Sequence, residues 1–303
     1  MSESRPHLHG IITAMVTPLK DQQTLDRAGL ERLIEHLIAG GVHGLFPLGT
    51  TGEAAALPHE LRYEMVEIVC RQAAGRVPVV VCVTDNSLVE ATRLAHKAKE
   101  CGAVAVSSAP PFYYAITQDE ILRYFEKLAH DAGMPVLLYN APGKAHHTIE
   151  PATVQRAAEI ENIIGIKDSR LNMVYFHEVR ARLAARKDFT LLIGPEELLA
   201  ECVLFGGHGG MAGGSNVYPR LFVELYNAAA AGDMARVNSI HQQAMAFCRA
   251  IYHGNNPLCG LKYGLSCLGI CSAVLTGPLT DYAASERAAV EQYLDMYRSN
   301  ILA

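Results

Sequence analysis

The sequence predicts a (β/α)8 TIM barrel with a C-terminal helical extension. Short apolar runs alternate with longer amphipathic stretches, and the pair recurs eight times. Such alternation implies a parallel sheet joined by right-handed crossovers, and eight units suffice to close it. The competing architecture is a doubly wound open sheet, but its dinucleotide fingerprint, GxGxxG after the first strand, is missing.

GIITAMVTP reads as the first strand. Residues 26–39 then show helical spacing, with Leu30, Leu33, Ile34, Leu37 and Ile38 on one face. HGLFPLG is the second strand, and a helix over residues 58–74 has Pro58 in its first turn. Residues 77–84, VPVVVCVT, are rich in β-branched side chains and form the clearest strand, before a helix over 87–100. AVAVSSAPP precedes a helix over 118–130, MPVLLYN one over 151–159, and NIIGIKD one over 173–185. FTLLIG precedes a helix over 196–205, and the glycine-rich GGHGGMAGGSN one over 219–231. The barrel thus spans residues 1–231. Residues 232–303 form an extension of three helices, 234–252, 257–268 and 282–300, packed on the barrel.

Bulk composition narrows the function classes. Half of the 303 residues are hydrophobic, enough for a large core, and the formal net charge is -5. No basic surface for nucleic acid is indicated. Charged residues, Gly or Pro break every apolar run short of a membrane span, and MSESRPHLHG lacks the pattern of a signal peptide. The eight cysteines are scattered with no CxxC pair, as expected of reduced thiols in a cytoplasmic protein. The last four, Cys248, Cys259, Cys267 and Cys271, match no zinc spacing. No metal site is expected.

In a barrel of this kind the active site lies at the C-terminal ends of the strands. Those ends carry GTTGE (residues 49–53), PPFYY (110–114), YNAPGK (139–144), Lys167, Gly194-Pro195-Glu196-Glu197 and the glycine run. A lysine is rarely left inside without a partner or a task. Desolvated in a barrel, it loses part of its preference for charge, and a neutral amine attacks a ketone to give a Schiff base. The protonated imine is an electron sink that permits C–C cleavage, its reverse, or loss of water. Tyr139 suits the proton shuttle such chemistry needs, with Thr50 as relay partner.

Structural readings stand beside these. Lys167 and Asp168 fit a salt bridge at a strand end. Thr50-Thr51-Gly52-Glu53 fits a capping box, and backbone N–H groups at such a start also bind carboxylates. Tyr113 and Tyr114 fit packing or interface aromatics. His146, His147 and His208 read as loop residues, and Glu196 and Glu197 as acids opening a helix.

GTTGE, PPFYY, YNAPG and GIKDS, in this order and at these spacings, resemble the dihydrodipicolinate synthase / N-acetylneuraminate lyase family. The likeness runs from GIITAMVTP through NNPLCGLKYGL, nearly the whole chain. It implies class I aldolase or synthase chemistry on pyruvate or another 2-oxo acid, no metal or organic cofactor, and a homotetramer built as a dimer of dimers. Residue by residue, Lys167 matches the Schiff-base lysine and Tyr139 the acid/base tyrosine. Thr50 and Thr51 match the pair that holds the 2-oxo acid carboxylate, beside Gly49. Tyr113 matches the tyrosine that reaches a neighbouring subunit's site. Gly194 and Met211 stand where the family makes backbone contacts to substrate.

Departures bear on the substrate. Lys144 stands where the synthases have an arginine, keeping the charge but losing the bidentate fork. KDS after the strand is closer to the 2-keto-3-deoxy sugar acid aldolases than to the synthases' KEA. Glu196 and Glu197 resemble residues that sialic acid lyases turn toward a sugar-acid tail, although Gly213 replaces a serine of that branch. The leading expectation is therefore a Schiff-base lyase, aldolase or dehydratase, acting on a hydroxylated 2-oxo acid such as a 2-keto-3-deoxy sugar acid. The alternatives are a synthase joining pyruvate to aspartate semialdehyde, an N-acetylneuraminate lyase, and a non-catalytic protein that binds a 2-oxo acid.

Overall fold

The computed structural model describes residues 6–254, 256–279 and 282–302. Eight parallel strands form the barrel: β1 (Gly10–Ala14), β2 (Gly44–Phe46), β3 (Val80–Cys82), β4 (Ala105–Ser108), β5 (Val136–Asn140), β6 (Ile163–Asp168), β7 (Thr190–Ile193) and β8 (Gly209–Ala212). Their order in the sheet is β2-β1-β8-β7-β6-β5-β4-β3. The ring closes between β2 and β3, where Leu45 pairs with Val79 and its N–H donates to the Pro78 carbonyl at 3.0 Å. Every residue of the eight strands is buried, as a parallel sheet covered on both faces requires.

The outer helices are α1 (Arg27–Ala39), α2 (His59–Ala73), α3 (Leu88–Glu100), α4 (Gln118–Ala132), α5 (Pro151–Ala157), α6 (Met173–Arg182), α7 (Leu199–Leu204) and α8 (Pro219–Ala230). Local chemistry sets their starts. Thr117 and Glu120 form a reciprocal capping box on α4, and Pro151 and Pro219 open α5 and α8, where a missing N–H costs nothing. Two differences from the sequence reading have local causes. Residues 196–198 form a 3-10 turn before α7, and β2 stops at Phe46 because Pro47 has no N–H to donate. A small hairpin, Leu19–Asp21 with Thr24–Leu25, is too short to show periodicity in the sequence.

Three further helices follow: α9 (Met234–Ile251), α10 (Pro257–Cys267) and α11 (Ala284–Leu302). Phe247 of α9 joins them to the barrel, with ring centroids 5.3 Å from Phe222 of α8 and 5.5 Å from Tyr293 of α11. Among the described residues no helix is long and apolar enough to cross a membrane.

One irregularity sets the alignment of two neighbouring barrel strands. Val136 pairs with Ile163, but Leu137 pairs with Gly165, so Ile164 has no partner on β5. The inserted residue advances β6 by one position, and Tyr139 therefore pairs with Lys167 rather than Ile166. Gly165 permits this crowding: a Cβ there would lie 2.5 Å from the Thr190 carbonyl oxygen on β7. Gly165→Ala is accordingly expected to destabilise the barrel by roughly 1–3 kcal/mol and to lower activity, checked by urea unfolding and turnover. Unchanged values would show that β7 yields freely.

Candidate active site

Lys167 and Tyr139 are penultimate residues of β6 and β5. As register partners in parallel strands they project to the same face, here the barrel interior. The Lys167 Nζ lies 4.4 Å from the centre of the Tyr139 ring and 5.0 Å from that of Phe46. Lys167 is 4% exposed, so its ammonium has traded water for ring faces. Nothing in the sequence singles out Phe46, which sits on the short β2.

Asp168 projects the other way. Its Oδ1 accepts from Asn140 Nδ2 at 2.7 Å and lies 3.8 Å from Arg170 Nε, whose guanidinium stacks 3.7 Å over the Tyr175 ring. The salt bridge that the adjacency of Lys167 and Asp168 suggests is absent, because successive strand residues face opposite sides. Burial pushes the Asp168 carboxyl up to about 6, against the Asn140 hydrogen bond and Arg170, which pull it down.

The turn after β2 supplies the third group. Thr50 Oγ1 is 3.0 Å from the Tyr139 hydroxyl. Its engagement there, rather than with a helix N–H, means that Thr50–Glu53 is not a capping box. Among the described residues the N–H groups of Thr50 and Thr51 meet no protein acceptor, so both are open to an anion. Gly49 packs beneath the turn, where a Cβ would strike the Phe46 ring at 2.7 Å.

Two chambers meet at Thr50 and Tyr139. The first, about 330 Å³, holds Lys167, Thr51, Gly194 and Met211 in its wall. The second, about 440 Å³, is walled largely by Leu48, Ala54, Ala55, Phe112 and Leu279 and does not reach Lys167. Lys144 borders both from the one-turn helix Pro142–Ala145, exposed and without an ion pair among the described residues.

Other predicted residues fall differently. Glu196 lines the first chamber, but its Oε1 already accepts from the Gly214 N–H at 2.5 Å and the Tyr252 hydroxyl at 2.7 Å. Burial raises its pKa. Tyr113 is 76% exposed, with its ring edge-on to Tyr114 at 5.0 Å, and lines neither chamber of its own chain. Sequence reasoning missed Asn256, Pro257 and Leu258, which border both chambers from the start of α10. The NNPLCG segment carried the signal, but a role for it needs the packing of the extension.

A closed parallel barrel whose mouth gathers a buried lysine, a tyrosine and a threonine has the form of a class I aldolase-type lyase. Known proteins of similar sequence and shape agree. The sequence profile of the dihydrodipicolinate synthetase family matches residues 7–297. The 4-hydroxy-tetrahydrodipicolinate synthase of Methylococcus capsulatus is 36% identical over 94% of this chain and 97% of its own. A dihydrodipicolinate synthase structure from Bacteroides thetaiotaomicron is 47% identical, with a TM-score of 0.91 over 95% of this chain and 98% of that one. A prophage protein of the same family from E. coli K12, solved in complex with pyruvate, is 28% identical at a TM-score of 0.91, over 97% and 99%. The chain belongs to the dihydrodipicolinate synthase family and is an enzyme of its lyase class.

The raised pKa of Asp168 makes stability depend on pH in a definite direction. Its folded-state value of about 6 lies above the ordinary 3.8, so the stability it contributes is full below about pH 4 and lost as pH rises through 6. The loss is on the order of 3 kcal/mol. Asp168→Asn should flatten the difference in urea stability between pH 4.5 and 7.5, and an unaltered difference would contradict the assignment.

Proposed function

We propose that this enzyme condenses pyruvate with aspartate semialdehyde, the 4-hydroxy-tetrahydrodipicolinate synthase reaction, through a Schiff base on Lys167. The observation that carries the reading is Lys167 buried over Tyr139, whose hydroxyl reaches Thr50 Oγ1 at 3.0 Å. The relatives so named favour this condensation over the sugar-acid cleavage that the sequence put first.

The neutral Lys167 amine adds to the pyruvate ketone, and the carbinolamine loses water to give a protonated imine. The pyruvate carboxylate rests on the open N–H groups of Thr50 and Thr51. Loss of a C3 proton gives the enamine, whose C3 attacks the aldehyde carbon of the second substrate; the aldehyde oxygen takes up a proton. The amino group of the second substrate then attacks the imine carbon and displaces the Lys167 amine, which closes the product ring and restores the free lysine without consuming water. Tyr139 and Thr50 pass these protons between the first chamber and the second. Lys144 at the rim attracts the carboxylate of the second substrate as a point charge, without a fork's directionality.

The wall of the first chamber supports a second reading. Ser169, Glu196 and Tyr252 line it and suit the hydroxyls of a 2-keto-3-deoxy sugar acid. Borohydride reduction in the presence of pyruvate, followed by peptide mass spectrometry, is expected to mark Lys167. Tyr139→Phe should lose about 10²–10⁴-fold in kcat. Product from pyruvate and aspartate semialdehyde in a coupled assay supports the synthase. Pyruvate released from 2-keto-3-deoxy acids with no such product would support the lyase, and an imine without any turnover would leave a binding protein.

The proposal includes assembly as a homotetramer, a dimer of dimers. Tyr113 and Tyr114 form one exposed aromatic patch, and Leu171, Val174 and Phe205 are 72%, 76% and 51% exposed elsewhere on the surface. Buried against other copies, these patches would supply two kinds of interface, with Tyr113 completing a neighbour's site. Light scattering is expected to report a tetramer, and Leu171→Asp/Val174→Asp a dimer. A monomer of full activity would refute the assembly.

A further inference from the structure

Glu53 ends the turn that carries Thr50 and Thr51, but its carboxylate points into the C-terminal extension. Its Oε1 lies 2.5 Å from the Nζ of Lys262 on α10, and neither side chain touches solvent. Its Oε2 accepts from the N–H of Thr276 at 2.7 Å and from the Thr276 hydroxyl at 2.8 Å. Lys262 also donates to the Val274 carbonyl at 2.6 Å. Burial pushes the Lys262 ammonium below its ordinary pKa, and Glu53 opposes that shift.

Stability alone does not account for this arrangement. Removing water from both charges costs several kcal/mol, and apolar residues of similar volume often serve a core equally well. What an ion pair adds is direction, and this turn needs it. Leu48 and Glu53 bound the turn with φ of +64° and +57°, a left-handed backbone that a residue with a side chain adopts only when its surroundings hold it there. Thr17 Oγ1 holds the Gly52 carbonyl at 2.7 Å from the barrel side. The Glu53 carboxylate is the corresponding anchor on the extension side. Thr50 stands just ahead of both anchors in the same turn, within hydrogen-bond reach of Tyr139.

We propose that Glu53, Lys262 and Thr276 are positioning residues that hold Thr50 and Thr51 in register with Tyr139 and with the carboxylate of the 2-oxo acid. The proposal rests on the Schiff-base reading of Lys167. It makes the extension a working part of the site: α10 and the segment after it fix the turn on which the proton relay depends. A displacement of about 1 Å in such groups can cost on the order of 10²-fold in rate.

The test compares wild type with Glu53→Gln/Lys262→Met, which removes both charges at similar volume, and with Thr276→Val, which removes one hydroxyl. The double variant is expected to keep or raise Tm while KM for pyruvate rises about tenfold and kcat falls at least about tenfold. Thr276→Val is expected to raise KM about threefold with little change in Tm. A structural role would move Tm and leave the KM-against-kcat pattern alone. If the double variant keeps KM and kcat within about twofold of wild type, the proposal is overturned. Should that variant fail to fold, wild-type KM and kcat in Thr276→Val overturn it instead. Borohydride trapping on the wild type separates the two levels: no imine at Lys167 removes the Schiff-base reading along with this one, whereas an imine with unaffected variants removes this one alone.

Discussion

The register of β5 against β6 is the constraint on which the site depends. Parallel strands place paired residues on one face, and a slip of one residue turns every side chain of a strand around. The unpaired Ile164 supplies one such advance, so that Lys167 and not Ile166 stands beside Tyr139. With regular pairing the ammonium would leave the rings of Tyr139 and Phe46, and Asp168 would be driven toward the interior. Gly165, crowded against the Thr190 carbonyl, is the small residue that lets β6 take this path.

The closed ring supplies the rest of the geometry. Once Leu45 bridges to Val79, the ends of β2, β5, β6, β7 and β8 face one mouth, and residues distant in the chain become neighbours. Thr50 reaches Tyr139 across 89 positions, and Glu53 reaches Thr276 across 223. The two chambers share Thr50 and Tyr139, which places the proton relay of the proposed mechanism at the junction where two substrates would meet. Tyr139 is buried there while Thr50 stands exposed, so the junction links the interior of the barrel to its open mouth.

Much of this is legible in the sequence. Each strand and barrel helix announces itself by an apolar run, a helical stripe or a proline at a first turn, because these signals depend on near neighbours only. One rule, that barrel strands deliver their C-terminal ends to the mouth, places GTTGE, YNAPGK and Lys167 there. Errors arise where a local pattern has a distant competitor. Thr50–Glu53 has the form of a capping box, yet Thr50 turns to Tyr139 and Glu53 to Lys262. Lys167 and Asp168 adjoin in sequence but face opposite sides of a strand. Tyr113 is a different case: its expected place is a neighbouring subunit's site, and it lines neither chamber of its own chain.

By itself, then, the sequence determined the barrel class, the order of its elements and the delivery of GTTGE, YNAPGK and Lys167 to its mouth. These depend on composition and periodicity over spans of ten to twenty residues. Tertiary structure alone decided which of those residues meet. The Ile164 offset, the Phe46 ring beneath the lysine, the joined chambers and the burial of Lys262 against Glu53 all arise between segments far apart in the chain. No local pattern encodes such contacts, because they depend on how a closed ring and a packed extension bring separate strand ends to a common centre.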